Sequence, residues 1–175
     1  MAAIAHYSKA TSLLHWSSGM AMIGSIGCVL KAQEVKGKEK GPWMHRHKSL
    51  GVISGIIMVP RLGMKLMSSE VASLAGSTAI EIQLAKASHY LLYAFGIVMP
   101  VTGISMGLWG GKGLPFFFTT IPSFVETNGF VAKWSFKIHK QVGTYGKFLV
   151  PVHVGAAGAH AARGHGIFSR INPFR

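Results

Sequence analysis

The sequence predicts an all-α fold, a four-helix bundle whose helices span a membrane. Three observations predict it. Only 13% of the 175 residues are charged and 49% are hydrophobic, with a mean hydropathy of +0.36; soluble domains carry about 25% charged residues. The apolar residues gather in four stretches separated by basic, Gly- and Pro-bearing connections. The last stretch holds His139 and His153, 14 residues apart. That spacing is close to four helical turns, so both rings leave nearly one face, about 21 Å apart along the axis.

Residues 11–30 contain no Asp, Glu, Lys or Arg and match the roughly 20 residues a spanning helix needs. The run is too long for the apolar core of a cleaved leader, so it reads as an uncleaved first span. Residues 31–48 form a basic loop. The second span covers 49–67, with Pro60 and Arg61 late in it. Residues 68–86 are small and polar, compatible with a short surface helix. The third span covers 87–109 and contains Pro100. Residues 110–137 read as a long loop whose Pro115-Phe116-Phe117-Phe118 run places it at the membrane interface. The fourth span covers 138–162 and contains Pro151. Prolines are tolerated in spans where neighbouring helices satisfy the freed backbone groups. No repeat or linker divides the chain, so residues 1–175 are one domain.

Four spans put both termini at one end of the bundle, here the N end; the opposite end is the P end. The N end holds Lys9, Arg61, Lys65, Lys86, Arg163, Arg170 and Arg175. The P end holds Lys31, Lys36, Lys38, Lys40, Arg46, Lys48, Lys112, Lys133, Lys137 and Lys140. The formal net charge is +13. Because these cations lie between apolar runs, membrane lipids with anionic headgroups, rather than nucleic acid, are their expected partners. The positive-inside rule turns the P end to the cytoplasm; an acidic partner or cardiolipin-like lipid is the competing use of the same charge, and orientation stays open. The single cysteine, Cys28, excludes an intrachain disulfide and a Cys-rich zinc or iron–sulfur site, and reads as a small packed hydrophobe. No C-x-x-C-H occurs, which excludes covalent haem attachment of the c type.

Depth sorts the histidines. His15 and His89 begin spans one and three at the N end; His47 and His139 begin spans two and four at the P end; His153 lies deeper, towards the N end. His139 therefore meets His47, and His153 meets His15. Ionisable residues inside spans are costly and usually functional. Two stacked histidine pairs suit two b-type haems, each held by bis-histidine ligation that leaves no open axial position and so serves electron transfer. Gly143 and Gly146 follow the His139 face, and Gly51 follows His47, leaving room for a flat macrocycle against the backbone; ordinary small-residue packing in lipid is the alternative. Arg61, 14 residues after His47, either pairs with a haem propionate or snorkels from a span end. Lys147 lies between the histidine levels and has three readings: a propionate, a lipid or a neighbouring helix. His89 and His160, both towards the N end, are candidates to bond a quinone carbonyl and accept a quinol proton. His6, His45 and His165 read as surface residues, with His45 a rival to His47.

Leu14-His15-Trp16, His47-Lys48-Ser49-Leu50-Gly51 followed by Arg61, His89 with Leu91-Leu92-Tyr93, Pro100-Val101-Thr102-Gly103, and His139 with His153-Val154-Gly155-Ala156-Ala157 and His160 occur in order. In these motifs the chain resembles the bacterial-type cytochrome b561 family, four-span dihaem quinol oxidoreductases, over nearly its whole length. The resemblance implies haem ligation by His15 with His153 and by His47 with His139, and quinol as donor near the N-end haem and His160. Two departures stand out: His160-Ala161 replaces a frequent His-His pair, and Lys147 stands where an uncharged residue is usual. The reading is transmembrane electron transfer through two haem b groups with quinol oxidised near the N end, a quinol-dependent oxidoreductase of the respiratory chain. The alternative is a haem-bearing anchor or accessory subunit of a larger respiratory complex without its own quinol chemistry. Partners are then quinone or quinol, lipid, and the subunits of such a complex or a second copy in a homodimer. The location is an energy-transducing membrane, the bacterial or mitochondrial inner membrane.

Overall fold

A computed structural model describes residues 6–68, 73–74, 76–124 and 126–174. Helix α1 (Lys9–Glu34) starts at Ser8, whose hydroxyl accepts the Thr11 amide at 3.1 Å. A single 3-10 turn (Gly37–Glu39) reverses the chain into α2 (Lys40–Met67). Helix α3 (Ala79–Trp109) opens with a reciprocal cap between Thr78 and Glu81. A hairpin follows, β1 (Leu114–Phe116) pairing antiparallel with β2 (Thr119–Ile121) and Leu114 opposite Ile121. Helix α4 (Gly129–Gly146) is capped by the Asn128 side chain; α5 (Leu149–Ala162) and the short α6 (Ile167–Arg170) complete the chain. Helix α2 packs against α1 and α3, and α3 against α4 and α5.

Helix α1, the segment Gly37–Met67 and α3 are each long and apolar enough to cross a membrane, yet only 17–22% of their apolar windows is buried within the chain. The outward Leu, Ile, Val and Met side chains therefore require a lipid environment.

The structure departs from the sequence reading in three places. Helix α3 begins at Ala79, so residues 79–86 extend the third helix and form no separate surface helix; residues 69–72 and 75 of that connection lie outside the described residues, as does Arg175. Residues 110–137 are a hairpin and the first turns of α4 instead of a loop. The fourth apolar stretch is two helices, with a turn at Lys147 and Phe148. Pro151 is the cause: it has no N–H for the Lys147 carbonyl, and its ring crowds that carbonyl. The bonds tighten to compensate, with the Phe148 amide reaching the Tyr145 carbonyl at 3.3 Å.

The interior is built of small residues. Ser18, Ala21, Ser25, Cys28 and Ala32 form the buried stripe of α1 at intervals of three and four. Cys28 packs there as a small apolar side chain, as expected. Opposite them, a Cβ on Gly51 would touch the Ser25 hydroxyl at 3.9 Å, and one on Gly24 would press Leu50 at 3.1 Å. The buried hydroxyls bond back into their own helices, Ser18 to the His15 carbonyl and Ser49 to the His45 carbonyl, both at 3.0 Å. The C-terminal segment is tied to α1 through the Trp16 indole N–H and the Ile171 carbonyl at 2.9 Å.

The hairpin sits at the P end, held by the Ser49 hydroxyl, which accepts the Phe117 amide at 2.9 Å, and by a 2.8 Å bond between His45 Nε2 and the Phe117 carbonyl. His45 is thus committed to the hairpin and is no rival to His47. Gly113 enters the hairpin at φ +67, and a Cβ there would lie 2.5 Å from the Ile121 carbonyl oxygen. Gly113→Ala should therefore destabilise the folded protein by about 1–3 kcal/mol, through left-handed strain plus the backbone clash. Thermal unfolding in detergent checks this, with Gly129→Ala, in open space, as the control expected near wild type.

Candidate functional site

At the P end, His47 from α2 and His139 from α4 face each other with ring centres 6.1 Å apart. Each ring is held by its Nδ1. His47 Nδ1 is 2.9 Å from the Ser25 carbonyl and donates to it, while the Ser25 hydroxyl donates to the His47 carbonyl at 3.1 Å. His139 Nδ1 lies 3.0 Å from the Thr102 hydroxyl, which itself donates to the Val98 carbonyl at 2.6 Å. A hydroxyl with its one proton spent accepts from the ring. In both histidines the proton is then on Nδ1, and Nε2 keeps its lone pair. Neutral imidazole with the second nitrogen donating to an oxygen is the form that ligates a metal.

These rings line a cavity of about 1030 Å³, above the usual range of roughly 300–1,000 Å³ for small-molecule and cofactor sites. Its walls are apolar, with Phe95, Met99 and Ile104 among them, and Gly51 and Gly143 expose backbone to it. A Cβ on Gly103 would come 3.2 Å from the His139 ring. Leu114, buried at the base of the hairpin, lines the cavity at the P end. Lys40, Lys48, Lys112, Lys140 and Lys147 also line it, with no Asp or Glu among the lining residues. A flat apolar body carrying carboxylates fits this combination.

At the N end, four helices converge. His15 of α1 and His153 of α5 have ring centres 6.2 Å apart, His89 of α3 packs edge-on to His153 at 5.3 Å, and Arg61 of α2 reaches in. Two imidazoles ligating one iron from opposite sides, with bonds of about 2 Å, have ring centres about 6 Å apart. The His15–His153 and His47–His139 separations meet that requirement; His89–His153 is shorter. Arg61 donates to His15 Nδ1 at 3.1 Å and to the Ser18 hydroxyl, and its guanidinium lies 5.3 Å from the Tyr93 ring centre. A neutral ring that accepts at Nδ1 carries its proton on Nε2. Ligation by His15 Nε2 therefore requires Arg61 to release the ring, for which a cofactor carboxylate is the natural exchange partner.

The other residues singled out in the sequence fall as follows. Gly146 receives the Phe95 ring and does not line the histidine cavity. His160 does not join His89; it stacks on His165, with ring centres 5.3 Å apart and the two Nδ1 atoms 3.0 Å apart. His165 is thus half-buried and engaged, where the sequence suggested a surface residue. Arg163 closes this end through a 2.7 Å ion pair with Glu81. Sequence reasoning missed Ser25 and Thr102. Neither has a local signal, because each acts on a histidine of another helix, 22 and 37 residues away.

The profile of the Prokaryotic cytochrome b561 family matches residues 6–173. The chain belongs to that family. It is also 25% identical over 160 residues to Cytochrome b561 homolog 1 of Escherichia coli (strain K12), covering 88% of this chain and 89% of that protein. Family membership together with the apolar helices makes the chain an integral membrane protein, and the b561 assignment implies b-type haem and membrane electron transfer. The P-end residues fit that group in ring spacing, nitrogen protonation, cavity size and lysine content.

Thr102→Val keeps the shape of the side chain and removes the acceptor for His139 Nδ1. It should weaken haem retention about 10- to 100-fold, the usual effect of losing the partner of a ligand histidine. Haem titration into the stripped protein measures this, with Thr102→Ser expected to stay near wild type.

Proposed function

We propose that the chain is a four-span cytochrome carrying two b-type haems, one between His15 and His153 and one between His47 and His139, and that it moves electrons from quinol at the N end to the P end of an energy-transducing membrane, a bacterial or mitochondrial inner membrane. The observation that carries this reading is the pair of imidazole separations, 6.1 and 6.2 Å, placed at opposite ends of the same helices. When bound, the haems supply one-electron carriers. The chain supplies the rest. Ser25 and Thr102 fix the rings of His47 and His139. Arg61 at the N end, and lysines such as Lys40 and Lys112 at the P end, offer cations to carboxylates. Apolar walls exclude water.

Quinol oxidation releases two electrons and two protons, so each electron leaving for the N-end haem needs a proton acceptor beside it. The His160–His165 pair suits that task, since the Nδ1–Nδ1 bond leaves both Nε2 atoms free. His89, packed on His153, is the inner candidate on the same route. The net +13 charge and its P-end concentration support anionic lipid as the surrounding partner.

A second reading is favoured by the hairpin. Phe118 at its tip is fully exposed, and its neighbour Phe117 is held at φ 48, a strained value for a residue with a side chain. A strained turn that presents an aromatic side chain suits docking into a larger respiratory assembly, with the chain as a haem-bearing subunit. Migration on a native gel separates the two readings: a lone monomer or homodimer speaks for the first.

The purified chain should show a b-type reduced-minus-oxidised spectrum with about two haems per chain. His153→Ala should remove one and leave the other bound. One haem per wild-type chain, or none, sinks the dihaem reading. His160→Gln should slow quinol-driven haem reduction about 10²-fold with haem content unchanged; an unchanged rate removes His160 from the quinol site.

A further inference from the structure

Lys147 is a charge the proposed electron route does not use. Of the basic residues in the four apolar stretches, it is the one between the two histidine levels. All five acids, Glu34, Glu39, Glu70, Glu81 and Glu126, lie outside those stretches, so no carboxylate of the chain is at its depth. The Lys147 side chain is half-buried and lines the His47–His139 cavity together with Gly143 and Thr144, while His153 and His15 do not line it. Its ammonium lies 5.1 Å from the Phe148 ring centre, a weak compensation for a charge at mid-membrane. The break in the fourth helix puts it there: the turn forced by Pro151 falls on Lys147 itself.

Resting on the dihaem reading, we propose that the Lys147 ammonium raises the electron affinity of the cofactor held by His47 and His139, and so draws the electron from the N end to the P end. Lys147 is eight residues from His139, about 12 Å by helical rise. At that distance and an effective dielectric of about 20, one unit charge changes electron affinity about tenfold. The cations at the P-end rim do less, because water and salt screen charges beyond a Debye length of about 8 Å. No bond forms or breaks in this effect; the lysine stabilises the site when it gains one electron. Lys147 is a positioning charge and not a ligand.

The test is a spectroelectrochemical redox titration of the full chain in detergent. Lys147→Met should lower the midpoint of one haem by about tenfold in reduction equilibrium, 59 mV for a one-electron couple. Lys147→Arg should restore it. Lys133→Met, the same charge loss at an exposed P-end position, should shift it less than about threefold, 28 mV. Combined with His153→Ala, the Lys147→Met shift should stay with the haem that remains. Lys147→Gln serves as a second neutral variant in case the methionine variant does not fold. Full haem content with both midpoints unmoved in the neutral variants overturns the proposal. So does loss of the P-end haem from the neutral variants alone, which makes Lys147 a structural anchor. A wild-type chain without haem defeats the dihaem reading instead, and that outcome is visible in the starting spectrum.

Discussion

The close approach of α1 to α2 is the contact on which the P-end site depends. His47 is oriented by a carbonyl of the other helix, that of Ser25, at 2.9 Å. A side chain can reach a neighbouring helix's backbone only where both surfaces are stripped to small residues. Ser18, Ala21, Ser25, Cys28 and Ala32 do this on α1, and Gly51 and Ser54 on α2. In lipid no hydrophobic force drives helices together, so dispersion contacts between small residues and bonds across the interface must hold them. One arrangement thus supplies the packing, the ring orientation and the ring tautomer.

The same economy operates between α3 and α4. Gly103 lies against the His139 ring, and Thr102, one residue earlier, takes the ring's Nδ1 proton. Pro100 packs against Gly55 of α2, where a Cβ would come within 2.9 Å, so α3 is pinned between α2 and α4 at the level of the cavity. The two histidines therefore stand on helices held by a common neighbour. Their 6.1 Å separation is set by this three-helix contact, not by any bond between the rings.

Charge is distributed to match. All the acids lie outside the apolar stretches, and the P-end cavity is lined by lysines alone among charged residues. Such a site is electrostatically unfinished without an anion-bearing occupant, because buried charges are costly unless paired. At the N end Arg61 has found temporary partners in His15, Ser18 and the Tyr93 ring. The two ends thus differ: the P-end histidines already carry their proton on Nδ1, whereas His15 must exchange a partner.

The sequence by itself determined the spans, the depth of each histidine, the ring pairings and the family resemblance. These follow from helical rise, hydropathy and residue spacing, which are one-dimensional quantities. The expected His15–His153 and His47–His139 neighbours do meet in the structure. The break at Lys147 was also implicit in Pro151, but a proline in a span only permits a break; the packing of its neighbours decides whether one occurs. Only the tertiary structure decided the rest. Gly146 went to Phe95 while Gly51 and Gly143 went to the cavity, because rotation about the helix axis is fixed by the facing helix. His160 found His165 instead of His89, because the chain turns back after Ala162. Ser25 and Thr102 acquired their roles by crossing between helices, and no spacing within one helix can announce a contact made with another.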